Sequence, residues 1–182
     1  MRIIAGTYRG RVLAGPRDLS VRPTTDRAKQ TIFDILTNCI DFDGLKILDL
    51  FSGTGSLGLE AISRGAASVT FVDSSRDALA LLKKNVTALQ CDDKCTQYQA
   101  DVFWYLKNTQ AQYDLAFADP PYKLEKIGTI PTALQQSGVL KESAYVVMEH
   151  SRESLVEIDE GYYEAVRKPF GQTTVLILRT QR

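Results

Sequence analysis

The sequence predicts an α/β fold on a mostly parallel sheet that closes with an antiparallel pair. Three observations carry this. Between Lys46 and Ala118, short apolar runs rich in β-branched residues alternate with segments of helical period, the signature of βαβ units. A glycine-rich turn, Asp49-Leu50-Phe51-Ser52-Gly53-Thr54-Gly55-Ser56-Leu57-Gly58, joins the first of those strands to its helix. Near the end, two strand-like runs are linked only by Pro169-Phe170-Gly171-Gln172, too short for a parallel crossover, so they must pair antiparallel.

Taken in order, residues 2–14 (RIIAGTYRGRVLA) place β-branched residues on both sides of a glycine turn and read as a β-hairpin. Residues 17–26 read as a loop, in which Thr24 or Thr25 can cap a helix from Asp26 to Asn38. Ala28, Ile32, Ile35 or Leu36, and Cys39 share one face of that helix. After the turn Asp41 to Gly44, strands are expected at Lys46–Phe51, Ser68–Asp73, Thr96–Ala100, Tyr113–Ala118 and Tyr145–Glu149, then at Tyr162–Lys168 and Thr173–Arg179. Helices fall at Gly55–Arg64, Arg76–Leu89 and Val102–Leu106, and within Glu125–Gln136, where Pro131 should start or kink the helix.

The chain has 182 residues, enough for one domain with a sizeable core, and 24% charged against 44% apolar residues, an ordinary globular balance. It contains no apolar run of membrane-spanning length and no leader-like start, so a cytoplasmic protein is expected. The cysteines Cys39, Cys91 and Cys95 read as reduced thiols. Zinc is not expected at Cys91-x-x-x-Cys95, because the chain has one histidine, His150, and no second ligand pair.

Formal net charge is zero but unevenly spread. Residues 1–30 hold Arg2, Arg9, Arg11, Arg17, Arg22, Arg27 and Lys29 against only Asp18 and Asp26. A basic arm on an acidic body suits contact with a polyanion, and charge alone equally fits a solvated hairpin.

The stretch Asp119-Pro120-Pro121-Tyr122, directly after the run Tyr113–Ala118, carries the chemistry. The prolines fix two φ angles and remove two donors, so the loop is stiff. Asp119 offers carboxylate oxygens at a strand's carboxyl end, where open α/β sheets bind ligands, and Tyr122 offers a flat face. Together they form a clamp for a planar group bearing an N–H donor, such as a nucleobase amine.

The glycine turn has two readings. Gly53-x-Gly55-x-x-Gly58 with Asp73 downstream matches the dinucleotide fingerprint as well as an S-adenosylmethionine loop. Asp49 beside the glycines is a poor neighbour for a pyrophosphate and a good one for an amino group. An Asp-Pro-Pro-Tyr loop also has no task in hydride transfer. Asp101 is placed to accept from an adenine amine or to cap the helix that follows.

On MRIIAGTYRGR, LSVRPTTDRAKQTIFDIL, LDLFSGTGSLGLEAISRGA and FADPPY, the chain resembles the RsmD-like family of small-subunit ribosomal RNA guanine-N2 methyltransferases, of the class I S-adenosylmethionine-dependent enzymes. The resemblance implies a Rossmann-like, seven-stranded sheet with its last strand antiparallel, and an N-terminal hairpin. It divides the chain into an RNA-contacting arm (1–21) and a methyltransferase domain (22–182). It assigns Asp49, Phe51, Gly53 and Gly55 to the methionine end of S-adenosylmethionine, Asp73 to the ribose, and Asp101 and Val102 to the adenine. The family often has Glu where Asp73 stands, one methylene longer. Asp119, Pro120, Pro121 and Tyr122 would be catalytic, and Arg2, Arg9, Arg11, Arg22 and Arg27 would meet RNA. The implied partner is 16S rRNA on the small subunit, with no metal or membrane, and a monomer is expected. Open alternatives are an adenine-N6 or cytosine-N4 methyltransferase of DNA or RNA, and a non-catalytic RNA-binding protein. His150 reads as a surface or turn residue and Trp104 and Tyr105 as packing residues, while Glu149 suits a site border or a turn equally.

Overall fold

The computed structural model describes residues 1–16 and 26–181. The expected caps Thr24 and Thr25, and Arg22, lie outside the described residues. Helix α1 (Asp26–Thr37) leads to β1 (Lys46–Leu50), α2 (Ser56–Ser63), β2 (Ser68–Asp73), α3 (Arg76–Leu89), β3 (Cys95–Gln99), α4 (Val102–Asn108) and β4 (Tyr113–Ala118). Then follow α5 (Ile130–Ser137), β5 (Leu140–Ser151), β6 (Tyr162–Phe170) and β7 (Thr173–Thr180). The seven strands form one sheet in the order β3-β2-β1-β4-β5-β7-β6, and β7 pairs antiparallel with both its neighbours. β7 alone runs against the rest, as expected.

Alternation along the strands divides the core between two faces. Ile47, Phe71, Leu115, Phe117, Val147 and Ile177 pack under α1, α2 and α3. Leu48, Leu50, Val72, Ala116, Val146 and Met148 pack under α4 and α5. Both faces are covered, which is why every residue of β1 after Lys46 is buried and all but Asp49 are apolar.

Most element bounds follow the sequence pattern to within two residues; β5 is longer because Leu140 pairs with Tyr113 of β4 before the apolar run begins, and His150 and Ser151 pair with β7 beyond it. Pro131 lies in the first turn of α5, where its missing N–H has no intrahelical partner to lose. Three expectations are corrected. Cys39 is exposed beyond the end of α1, and Lys29 and Phe33 belong to that helix's buried face instead. Trp104 is 59% exposed, whereas Tyr105 does pack, its hydroxyl 2.7 Å from that of Tyr113. His150 is buried: it continues β5, and its Nδ1–H donates to the Ser151 carbonyl at 2.8 Å. Burial, with Arg167 nearby, lowers its pKa.

The N-terminal hairpin is bound into the body. Arg2 and Val12 form its bridge, and Ile3 and Leu13 join the core under α1 to α3. Its inner strand is held by Glu60, a fully buried carboxylate in α2. The Ile4 amide donates to Glu60 Oε2 at 2.7 Å and the Ala5 amide to Oε1 at 3.0 Å. Arg64 Nε donates to Oε1 at 2.9 Å, and Lys29 Nζ lies 3.5 Å from Oε2 while donating to the Arg2 carbonyl at 2.6 Å. Burial lowers the Lys29 pKa against the pull of Glu60. Removing one member of such a network leaves buried charge uncompensated. Glu60→Ala is therefore expected to destabilise the fold by about 3–5 kcal/mol in urea unfolding, with loss of hydrogen-exchange protection at the Ile4 and Ala5 amides. Retained protection at those amides would remove Glu60 as the anchor of the hairpin.

Candidate active site

Strand order reverses between β1 and β4: β2 and β3 lie to one side, β5 and the antiparallel pair to the other. At such a switch point the connections leave in opposite directions and open a crevice at the carboxyl ends of the strands. β1 delivers Asp49 and the glycine turn there, and β4 delivers Asp119.

The glycine turn is shaped by three consecutive demands on its backbone. Phe51 has φ 55°, a conformation uncommon for a side-chain-bearing residue, and Gly53 and Gly55 follow at 53° and 81°. The Gly55 amide donates to the Ser52 carbonyl at 2.8 Å, closing the turn. A Cβ on Gly55 would lie 2.3 Å from Leu82 Cδ1, and one on Gly58 would lie 2.4 Å from Phe71 Cε1. These two glycines therefore let α2 approach α3 and the sheet. Gly53 differs: a Cβ there would meet nothing closer than the Phe51 carbonyl oxygen at 4.0 Å, so its backbone faces open space.

Asp49 settles the ambiguity of the glycine spacing. It is 2% exposed, and its Oδ2 accepts from the Gly58 amide in the first turn of α2 at 2.9 Å. In a dinucleotide-binding loop those helix amides receive the pyrophosphate. Here the protein's own carboxylate takes one of them, and a second anion would be repelled. A cation suits the place. Burial above all, opposed by the Gly58 hydrogen bond and reinforced by the charges of Asp119 and Asp73, raises the Asp49 pKa well above the ordinary range. Asp119 thus lies near enough for its charge to act on Asp49.

Asp73, at the end of β2, accepts from the Gly53 amide through Oδ2 and from the Ser75 amide through Oδ1, both at 2.8 Å. It braces the glycine turn while each oxygen keeps a further lone pair. Asp101 is exposed and caps α4, accepting from the Trp104 amide at 2.9 Å, with Val102 buried behind it. Pro120 is buried and Pro121 exposed. Tyr122 is 45% exposed, and its hydroxyl donates to Glu149 Oε1 at 3.4 Å. The structure therefore gathers Asp49, Phe51, Gly53, Gly55, Asp73, Asp101, Val102 and the Asp119–Tyr122 loop along one edge of the sheet.

Three residues of this region are not singled out by the sequence, and a fourth, Glu149, suits a site border or a turn equally there. Ser52 and Ser56 flank the turn with hydroxyls that are buried yet have no hydrogen-bond partner among the described residues. Asn85, 3% exposed in α3, donates through Nδ2 to the Thr54 carbonyl at 3.0 Å and to the Ala14 carbonyl at 3.1 Å, and accepts from the Ala14 amide at 2.7 Å. It ties the glycine turn to the root of the hairpin. The fourth is Glu149, on β5 beside Asp119. Only its place after the apolar run YVVM signals it in the sequence.

The basic side chains are spread more widely. Arg9 is exposed at the hairpin's tip, which packs on Ser63 at the far end of α2, with Tyr8 electrostatically close to Cys91 and Cys95. That is the amino-terminal end of the sheet, away from the crevice. Arg11 donates to the Ala88 carbonyl at 2.8 Å, Arg2 lies 3.8 Å from Asp26, and Arg27 is exposed. The Sγ atoms of Cys91 and Cys95 are 3.8 Å apart as free thiols. Among the described residues, no group of three or more His, Cys, Asp or Glu side chains could hold a metal ion, and no helix is long and apolar enough to cross a membrane.

Comparison with known proteins agrees with this architecture. The sequence matches the family Conserved hypothetical protein 95 over residues 1–179. It is 37% identical to ribosomal RNA small subunit methyltransferase D of Haemophilus influenzae over 160 residues, 84% of this chain and 80% of that one. It is 35% identical to the Bacillus subtilis protein YlbH over 98% of both chains. The solved structure of Escherichia coli yhhF superposes with a TM-score of 0.87 at 29% identity, covering 100% of this chain and 98% of that one. The sheet order, the crevice with its two acids and these likenesses converge: the chain belongs to the family of ribosomal RNA small subunit methyltransferase D, S-adenosylmethionine-dependent enzymes of the class I methyltransferase fold.

Proposed function

We propose that this protein transfers the methyl group of S-adenosylmethionine to the exocyclic N2 of a guanine in 16S ribosomal RNA of the small subunit. The observation that carries the reading is the pair of acids at the β1/β4 switch point, Asp49 buried under the glycine turn and Asp119 at the end of the neighbouring strand, each within reach of the other's charge.

The residues present fit the cofactor. Gly53 faces open space, the hydroxyls of Ser52 and Ser56 are buried donors awaiting acceptors, and Asp49 is a buried carboxylate suited to an ammonium. In this reading Asp49, Phe51, Gly53 and Gly55 hold the methionine end, Asp73 the ribose hydroxyls, and Asp101 with Val102 the adenine. When bound, the cofactor supplies a methyl group on a sulfonium, already activated for transfer.

The protein's task is then alignment and charge stabilisation. A guanine amine is a weak nucleophile because its lone pair is delocalised into the ring. Asp119 and the Pro120 carbonyl accept its two N–H groups, which favours a pyramidal nitrogen with its lone pair free to attack. As that nitrogen gains positive charge, the Asp119 carboxylate stabilises it and takes the proton that leaves. Pro120 and Pro121 keep the acceptors from turning away. The base must leave its stack to reach the crevice, and the Tyr122 ring receives it, an interaction worth about 1–3 kcal/mol. The arm at 1–21 meets phosphates through Arg2, Arg9 and Arg11, with Arg22 and Arg27 contributed by the methyltransferase domain. Since Arg9 lies away from the crevice, RNA that reaches it also follows the α2–α3 side. A monomer in the cytoplasm completes the proposal.

The decisive assay supplies tritiated cofactor with undermethylated small subunits, free 16S rRNA or DNA and identifies the labelled nucleoside. N2-methylguanosine from the ribosomal substrates is expected, and label in methyladenosine or DNA would overturn the choice of base. Asp119→Ala should lower kcat by at least about 100-fold with the cofactor Kd unchanged; near-normal turnover would take Asp119 out of the reaction. Cofactor binding should also depend on pH. A bound cation favours the ionised form of Asp49, whose pKa is raised in the free protein. Affinity should therefore be highest above that raised pKa and weaken as pH falls through it, one proton leaving on binding. Asp49→Asn should flatten the profile, and an unaltered profile in that variant would assign the titration elsewhere. Replacing Arg9 and Arg11 with Ala should reduce the salt slope of RNA binding by about 1 for each phosphate no longer neutralised, whereas an unchanged slope would leave the hairpin without a role in binding RNA.

A further inference from the structure

Glu149 has no part in the chemistry assigned so far. It stands on β5 one step beyond the Ala118–Met148 pair, and so beside Asp119 at the carboxyl edge. The residue is 7% exposed, and its partner across β7 is Val175, fully buried and apolar. An acid in such surroundings costs stability unless its oxygens are engaged. Tyr122 donates its hydroxyl to Glu149 Oε1 at 3.4 Å, so the carboxyl lies within reach of the ring assigned to the target base.

We propose that Glu149 selects guanine by accepting its N1–H while Asp119 and the Pro120 carbonyl accept the adjacent N2 amine. This rests on the guanine-N2 reading. Guanine presents N1–H and N2–H donors side by side on its Watson–Crick edge. An ionised carboxylate offers acceptors only. Two acids on neighbouring strands therefore match that edge. Adenine and cytosine each carry an amine beside a ring nitrogen that is itself an acceptor, and they would set a lone pair against the Glu149 carboxylate. The Asp-Pro-Pro-Tyr loop alone accepts any exocyclic amine, so discrimination has to come from outside it. Tyr122 links the two functions, its face on the base and its hydroxyl on the acid that reads the base.

The test uses small subunits reconstituted from transcripts with guanine, 2,6-diaminopurine or adenine at the nucleotide that the wild-type protein methylates. Diaminopurine keeps the 2-amine but replaces N1–H with an acceptor. Wild-type protein should prefer guanine to diaminopurine by roughly 10- to 150-fold in kcat/KM, the worth of one hydrogen bond to a charged group. Glu149→Gln, whose amide can donate to the diaminopurine nitrogen, should slow transfer to guanine by a similar factor and bring the two substrates to within about tenfold, with the cofactor Kd unchanged. Glu149→Ala should lose the preference without gaining activity on diaminopurine. A glutamine variant that keeps the wild-type preference while making N2-methylguanosine overturns this inference alone. A wild-type product other than N2-methylguanosine overturns the guanine reading and this inference with it. If neither variant folds, the wild type decides: equal transfer to guanine and diaminopurine excludes an acceptor at N1–H.

Discussion

The hydrogen bond from the Gly58 amide to Asp49 Oδ2 is the constraint on which the site depends. It joins the end of β1 to the first turn of α2 across the glycine turn, inside a region closed to water. A carboxylate in that place satisfies a helix donor that has no intrahelical partner and complements the positive end of the helix. It also fixes the charge preference of the crevice, because the same group that excludes a second anion attracts a cation. The close approach it requires is possible only because residues 55 and 58 lack side chains, which would collide with Leu82 and Phe71. Packing and electrostatics are thus set by one short stretch.

A second set of polar interactions makes the N-terminal hairpin part of the same body. Glu60 and Ser63 bind its inner strand to α2, and Asn85 holds its root to the glycine turn. These groups are buried, and buried polar groups of this kind are costly to leave unpaired. The segment proposed to meet RNA and the turn proposed to hold the cofactor therefore share a support, Asn85, with bonds of 2.7 to 3.1 Å to both. The crevice in turn collects acids from β1, β2, β4 and β5, and its acceptor-rich character suits a cationic cofactor and a base edge that donates.

The fold was largely legible because its signals are local. Alternating apolar runs, helical periods and the short Pro169–Gln172 link depend on neighbours in the chain, and the structure follows them closely from Lys46 to the final antiparallel pair. The misreadings concern residues whose local pattern is ambiguous. Lys29 lies on the apolar face of α1 because Glu60, distant in sequence, receives its charge. Trp104 faces outward because the first turn of α4 presents it to solvent while Val102, Tyr105 and Leu106 fill the core. His150 is buried because β5 runs on to Ser151 against β7, where the apolar pattern had suggested an end at Glu149.

By itself the sequence determined the order of elements, the stiffness of the Asp119–Tyr122 loop and the presence of acids at strand ends, since each follows from residue type and immediate neighbours. Its glycine spacing left two cofactors open. Only the tertiary structure placed the Asp49 carboxylate on the Gly58 amide, set Asp119 beside it across the β1/β4 switch point and brought Glu149 to the Tyr122 hydroxyl. These relations join residues far apart in the chain through strand order, and strand order is decided by which faces of the sheet must be buried together.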